Sequence, residues 1–140
     1  MDGMNNDMKG VHHAPVSEFK SKSGLQRIFS AFLYSMEGFK TAWRLEHAFR
    51  QELVLLVLAT IIALMLPVTA TEKLMLIGVF VLVLIVELIN SAVEAVVDRV
   101  SLERNPLSKN AKDLGSAAVF LSLALATATW AVVLIPLFQR

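Results

Sequence analysis

Three long apolar segments alternate with polar and charged segments along this chain. They cover residues 53–66, 74–86 and 114–138, and none contains a charged residue. Extended back to residue 48, the first segment reaches the length that a helix needs to cross a bilayer, and Pro67 ends it. The pattern therefore predicts an all-α membrane protein with spans at about residues 48–66, 74–97 and 114–138.

The segments outside these spans have patterns of their own. Residues 25–46 mix apolar, basic and aromatic positions, which favours an amphipathic helix in the headgroup layer. Tyr34 and Trp43 suit that depth, because tyrosine and tryptophan are enriched at the membrane–water interface. A helix packed on a partner remains an alternative. Residues 1–23 are polar and predict a disordered extension, so residues 24–140 form one membrane domain. Residues 98–113 predict a charged loop with Asn105-Pro106 as a turn signal, and Thr71-Glu72 indicates a capping pair after Pro67.

The end of the second span carries several polar side chains. At 100° per residue they share one stripe about 100° wide; its members are Glu87, Asn90, Ser91, Glu94 and Asp98. A carboxylate facing lipid is costly, so the stripe must face protein, a polar cavity or a cation. A polar seam that joins helices would explain the amide and the hydroxyl, but it does not need two acids. We therefore interpret the stripe as a functional site.

Composition narrows the class of protein. With 56% hydrophobic residues the chain suits a small membrane protein, and a net charge of +1 gives no reason to expect nucleic acid. Cysteine is absent, which excludes disulfides and thiolate metal sites. Residues 115–118 are small and offer the third span a face for close helix contact.

Lysine and arginine set the orientation. They concentrate before residue 51 and in residues 98–113, so the N-terminus and that loop are predicted to be cytoplasmic and the C-terminus to lie across the membrane. Three spans enclose little volume, and we therefore expect a homo-oligomer.

Carboxylates and cations gathered at one membrane face suit Mg²⁺ and polyphosphate. The deeper Glu87 could accept a proton from a lipid hydroxyl. No Gly-rich phosphate loop and no protein-kinase signature is present. From the residues alone, phosphoryl transfer and a proton or cation pathway both stay open.

Three blocks carry a resemblance to a known family. Residues 86–99, VELINSAVEAVVDR, closely resemble the signature of the prokaryotic membrane-integral diacylglycerol kinases. Residues 111–118, AKDLGSAA, look like that family's second block, and Ala42-Trp43, Glu46 and residues 48–52 match its N-terminal block. The resemblance covers about residues 24–138. Arg104-Asn105 stand where the family commonly has Tyr-His.

The resemblance implies a homotrimer of three-span subunits, each with a surface helix, in the bacterial inner membrane with a periplasmic C-terminus. It implies transfer of the γ-phosphoryl of MgATP to diacylglycerol, giving phosphatidic acid at sites shared between subunits. By motif, Glu87 is the base, Asn90 positions the reacting groups, and Glu46 and Glu94 hold Mg²⁺ and order the nucleotide. Further nucleotide contacts would be Arg27, Tyr34, Glu103, Lys112 and Asp113. Lipid contacts would be Arg27, Arg50, Glu52, Glu87, Ser116 and Trp130.

Two alternatives remain at this point. A subfamily of the same fold phosphorylates undecaprenol, although residues 115–118, Trp130 and Arg99 look more like the diacylglycerol branch. A non-enzymatic oligomeric proton or cation conduit belongs to a different class. A conduit would be expected to have polar groups along a full span, whereas in the second span residues 74–86, which precede Glu87, have none.

Overall fold

The computed structural model describes residues 24–100 and 105–139, and within these ranges every element is helical. The helices are α1 (Gly24–Leu45), α2 (His47–Met65), α3 (Ala70–Val100) and α4 (Pro106–Phe138). The helices α2, α3 and α4 are long and apolar enough to cross a membrane. This confirms an all-α membrane protein. The predicted disordered extension, residues 1–23, and Glu103 lie outside the described residues.

The chain divides into two compact units, residues 1–37 and 38–140. The described part of the first unit is α1 from Gly24 to Glu37, where every residue except the half-buried Ser30 is exposed. The second unit contains the end of α1 together with α2, α3 and α4. Gly38 does not interrupt α1, which continues to Leu45.

Helix α3 is the central element of the second unit, because it packs against both α2 and α4. Its Leu76 and Val83 are fully buried, and small residues such as Ala63 of α2 and Ala126 of α4 are buried with them. Small side chains let helix backbones approach closely, which is how membrane helices gain packing energy. A cluster of Ala42, Phe49 and Leu84 extends this core toward the end of α1.

The turn between α2 and α3 is closed by its own side chains. Leu66, before Pro67, has extended backbone angles (φ −69°, ψ 142°), as expected for a residue that precedes proline. The backbone N–H of Thr69 donates to Glu72 Oε2 at 2.7 Å, and the Glu72 N–H donates to Thr69 Oγ1 at 3.3 Å. This is a capping box. The predicted capping pair of Thr71 and Glu72 is wrong in its threonine. The partner of Glu72 is Thr69, because a capping box joins residues three apart.

The predicted loop at residues 98–113 is largely helical. Helix α3 continues to Val100, and α4 begins at Pro106. The side chain of Asn105 accepts a hydrogen bond from the Leu107 N–H at 2.8 Å, and Pro106 occupies the first turn. Asparagine at the N-cap followed by proline starts a helix well. The dipeptide interpreted as a turn signal is therefore the beginning of α4.

Toward the opposite end of the bundle, an aromatic pair joins α3 to α4. The indole Nε1–H of Trp130 donates to the backbone carbonyl of Leu76 at 3.0 Å. The ring meets Phe80 edge to face, with centroids 6.0 Å apart. Such a geometry stabilises aromatic pairs beyond their area of contact. These contacts fix the register of α4 against α3.

Candidate active site

The predicted polar stripe lies on one face of α3. Glu87 is buried, Asn90, Ser91 and Glu94 are half-buried, and Asp98 is exposed. The helix is unbroken through all five positions. The stripe therefore runs from the protein interior to the surface at one end of the bundle.

Two buried carboxylates meet at the inner end of this stripe. Glu87 of α3 is 4% exposed and Glu52 of α2 is 7% exposed. The two side chains interact electrostatically. Glu52 Oε2 is buried with no hydrogen-bond partner among the described residues. Burying charge without a partner is costly, so this arrangement is typical of a site rather than of a scaffold.

The amide of Asn90 joins two carboxylates of α3. Its Nδ2 donates to Glu94 Oε1 at 3.2 Å, and its side chain also interacts with Glu87. Its Oδ1 is buried and has no hydrogen-bond partner within residues 24–100 and 105–139. Asn90 therefore sets the spacing and orientation of the two acids.

Glu46 reaches the same site from the connection between α1 and α2. Its backbone is extended (φ −103°, ψ 113°), and its side chain makes no capping hydrogen bond to α2. The Glu46 N–H instead donates to the Ala42 carbonyl at 2.9 Å. The Glu46 carboxylate interacts electrostatically with Glu87, as Glu94 does. Acids from α2, α3 and the α1–α2 connection thus converge.

Lysine side chains lie at the outer end of the stripe. Lys112 Nζ of α4 donates to Asp98 Oδ1 of α3 at 2.7 Å and also interacts electrostatically with Glu94. Lys109 Nζ pairs with Asp113 Oδ2 at 2.5 Å, one turn along α4. The predicted nucleotide contacts Lys112 and Asp113 therefore have different partners.

Arg50 has a structural role that its sequence position did not suggest. Its Nη1 donates to the carbonyl of Trp43 at 2.8 Å and to that of Arg44 at 3.3 Å, and Nη2 lies 2.8 Å from His47 Nδ1. The last carbonyls of a helix lack partners within the helix, and a cation there also suits the helix dipole. Arg50 caps α1 and so holds the connection that carries Glu46.

The other residues predicted to belong to the site lie in different places. Ser116 is exposed on α4, one residue from Gly115. Trp130 contacts Leu76, which is about 16 Å along α3 from Glu87 at 1.5 Å per residue, so the structure does not bring it to the acids. Arg27 and Tyr34 lie on the part of α1 that belongs to the first unit.

Gly115 is a residue that sequence analysis did not single out. A Cβ built at this position would overlap with Oδ1 of Asn90 and lie 3.2 Å from its Cγ. The run of small residues at 115–118 indicated a close helix contact, but it gave no sign of which member meets the polar stripe.

No group of three or more acidic or histidine side chains in the described part of the chain is arranged to hold a metal ion by itself. Mg²⁺ usually takes one or two carboxylates and completes its shell with water and substrate phosphates. The oxygen donors of Glu46 and Glu94, both acting on Glu87, fit that smaller requirement.

The structure thus defines a polytopic helical membrane protein with an acidic site near one end of its bundle. A family model described as prokaryotic diacylglycerol kinase matches residues 33–134. A diacylglycerol kinase of Pseudomonas aeruginosa is 55% identical over 119 residues, which is 85% of this chain and 97% of the relative. One from Escherichia coli is 48% identical over 112 residues, covering 80% and 92%.

This chain belongs to the prokaryotic diacylglycerol kinase family. It is a kinase, and hence a transferase, with membrane-spanning helices. The resemblance carried by residues 86–99 and 111–118 is confirmed.

Proposed function

We propose that this protein transfers the γ-phosphoryl group of MgATP to the hydroxyl of diacylglycerol, giving phosphatidic acid, with Glu87 as the general base. The observation that carries the proposal is the amide of Asn90, which hydrogen-bonds Glu94 and interacts with Glu87. The buried base, Glu87, is thereby held beside the more exposed carboxylate of Glu94, which lies nearer to water.

The reaction needs few groups from the protein. The lipid hydroxyl oxygen attacks the γ-phosphorus, the bond to the β–γ bridging oxygen breaks, and ADP leaves. Glu87 takes the hydroxyl proton as the new P–O bond forms, and Asn90 keeps the carboxylate turned toward the hydroxyl. The surrounding apolar core excludes water, which would otherwise compete as the acceptor.

Glu46 and Glu94 would hold Mg²⁺, which screens charge on the nucleotide phosphates when bound. Both side chains interact with Glu87, so a cation that they held would reduce the repulsion of the buried Glu87 carboxylate. Lys112 adds positive charge beside Glu94 at the water-facing end of the stripe. Arg27, Tyr34, Glu103 and Asp113 stay further proposed contacts to the nucleotide.

The lipid would approach along the bundle, with its hydroxyl at Glu87. Glu52, Arg50 and Ser116 stay proposed contacts near the headgroup, and Trp130 along an acyl chain. We propose that α1 is an amphipathic surface helix, that the protein is a homotrimer with shared sites in the inner membrane, and that its C-terminus is periplasmic. The largely exposed apolar surface of α4 supports association with lipid and with further copies.

The test is transfer of labelled γ-phosphate from MgATP in mixed micelles, with diacylglycerol and undecaprenol offered separately. Glu87→Gln is the test variant. Glu72→Gln is the control, because glutamine keeps the capping box while changing an acid at the other end of the bundle. We expect diacylglycerol to be labelled by the parent and by Glu72→Gln. Glu87→Gln should lose about 100-fold or more in kcat and keep MgATP binding.

Other outcomes separate the alternatives. Preferential labelling of undecaprenol would keep the mechanism and change the substrate. A folded oligomer that labels neither lipid would refute the kinase assignment, and ion flux in liposomes would then test the conduit. Normal turnover by Glu87→Gln would remove Glu87 from the role of base.

A further inference from the structure

We infer that Gly115 is a positioning residue for the reaction, because its missing side chain provides the space in which the Asn90 amide is seated. The inference rests on the proposed function of Asn90, Glu87 and Glu94. It adds Gly115 of α4 to these three residues of α3.

The first support is steric. A Cβ at position 115 would overlap with Asn90 Oδ1 and would also approach its Cγ to 3.2 Å and its Cβ to 3.8 Å. The atoms in the way are all side-chain atoms of Asn90. A larger residue at 115 would therefore displace the amide, while the backbones of α3 and α4 could keep their places.

The second support is the direction of the amide. Asn90 turns its Nδ2 toward Glu94, which accepts its hydrogen bond, and its Oδ1 toward Gly115. That oxygen is buried and lacks a hydrogen-bond partner among the described residues. A buried amide oxygen without a donor is costly, so the contact of Oδ1 with Gly115 does not by itself stabilise the protein. The oxygen lies there because the opposite side of the amide, Nδ2, bonds Glu94.

Displacing the amide affects both carboxylates together. Glu87 would lose its interaction with the amide, and Glu94 would lose the hydrogen bond from Nδ2. A misplacement of about 1 Å in a reacting group can cost on the order of 100-fold in rate. A methyl group at position 115 should therefore lower kcat far more than it lowers stability.

The chain offers a matched control at Gly78. This glycine lies in α3, and a Cβ there would meet nothing within 4 Å among the described residues of the subunit. Gly78→Ala and Gly115→Ala add the same methyl group to an interior position of a spanning helix. They differ in what the methyl meets.

The experiment compares the full-length parent, Gly115→Ala and Gly78→Ala in micelles by three measurements. The side-chain ¹⁵N–¹H signals of Asn90, assigned by their loss in Asn90→Ala, report the amide directly. Steady-state kinetics report kcat at saturating MgATP and lipid, and thermal unfolding reports stability. We expect the Asn90 signals to move and kcat to fall about 10- to 100-fold in Gly115→Ala alone. Its midpoint of unfolding should stay within about 5 °C of the parent.

Several results would overturn the inference. Asn90 signals and kcat equal to those of the parent in Gly115→Ala would show that the contact does not position the amide. An equal loss of kcat in Gly78→Ala would show that any added methyl has this effect. If Gly115→Ala does not fold, the double variant Asn90→Ala/Gly115→Ala must fold as well as Asn90→Ala, because the obstructing side chain is gone; failure there refutes the steric explanation.

The two proposals fail separately. A parent that transfers phosphate to no lipid refutes the proposed function, while the Asn90 signals still decide whether Gly115 seats the amide. A parent that is an active kinase, with Gly115→Ala equally active, refutes this inference and leaves the proposed function standing.

Discussion

Lys112 Nζ and Asp98 Oδ1 lie 2.7 Å apart and join α4 to α3 at the outer end of the polar stripe. Their side chains are 38% and 52% exposed, so solvent screens the pair. Exposed ion pairs contribute about 0–1 kcal/mol to stability. We therefore expect the position of the pair beside Glu94 to matter more for the proposed nucleotide contact than for the fold.

The first prediction separates these two effects. Lys112→Met should leave the midpoint of thermal unfolding nearly unchanged, because solvent screens the ion pair that it removes. It should raise the KM for MgATP about tenfold, because an ammonium near the phosphates is lost. Lys73→Met is the control, since Lys73 Nζ donates to the Leu64 carbonyl at the other end of the bundle. A large loss of stability with an unchanged KM would contradict the prediction.

The second prediction concerns the buried acid of α2. Glu52→Gln should raise the free energy of unfolding by about 1–3 kcal/mol, because it removes a buried charge next to Glu87 and keeps the shape. Catalytic efficiency toward lipid should fall in the same variant, as expected where function maintains an unfavourable group. Thermal unfolding in micelles and kinetics at varied lipid concentration check both parts. A lower midpoint would show that Glu52 is a stabilising residue.

The third prediction concerns the join between α3 and α4 at the other end. Trp130→Phe removes the hydrogen bond to the Leu76 carbonyl and keeps an aromatic ring near Phe80. Hydrogen bonds between membrane helices contribute about 0.6 kcal/mol on average, so the loss should be of that order. Trp130→Ala, which also removes the ring, should lose more, about 3 kcal/mol or above. Equal unfolding midpoints for the two variants would mean that the ring contact contributes nothing.

The fourth prediction concerns Mg²⁺. Glu46→Ala and Glu94→Ala should each shift the Mg²⁺ dependence of phosphate transfer to higher concentration, because each removes an oxygen ligand. Glu37→Ala serves as the control for loss of an acid on α1. Titration of Mg²⁺ at fixed ATP measures the shift. An unaltered dependence in both test variants would direct the search to other ligands.

Much of the fold follows from hydrophobic pattern. Apolar segments long enough to cross a bilayer leave little choice of structure, since backbone polar groups in lipid must bond within the helix. The ends of the helices were harder to predict. Charges at residues 98–100 and 106–113 indicated a loop, but lysine and arginine are good helix formers and a helix can project into water. A cap such as Thr69 with Glu72 depends on spacing, and a neighbouring threonine suggested the wrong partner.

The site, like the fold, could be predicted only in part. Residues on one helix, such as Glu87, Asn90 and Glu94, could be placed on a common face from their spacing alone. Contacts between helices could not, because they depend on register. The meeting of Asn90 with Gly115 and that of Trp130 with Leu76 are both of this kind. The capping of α1 by Arg50 likewise joins residues across a break in the helix.

The contact between Asn90 and Gly115 also has a consequence for biosynthesis, because it joins α3 to the helix that is made last. Domains and their elements emerge from the ribosome N-terminal end first, so α3 is complete before α4 has formed. Until α4 docks, the amide oxygen of Asn90 has no neighbour at position 115, although the hydrogen bond from Asn90 to Glu94 lies within α3. We therefore expect the proposed site to reach its full arrangement only after the last transmembrane helix has docked.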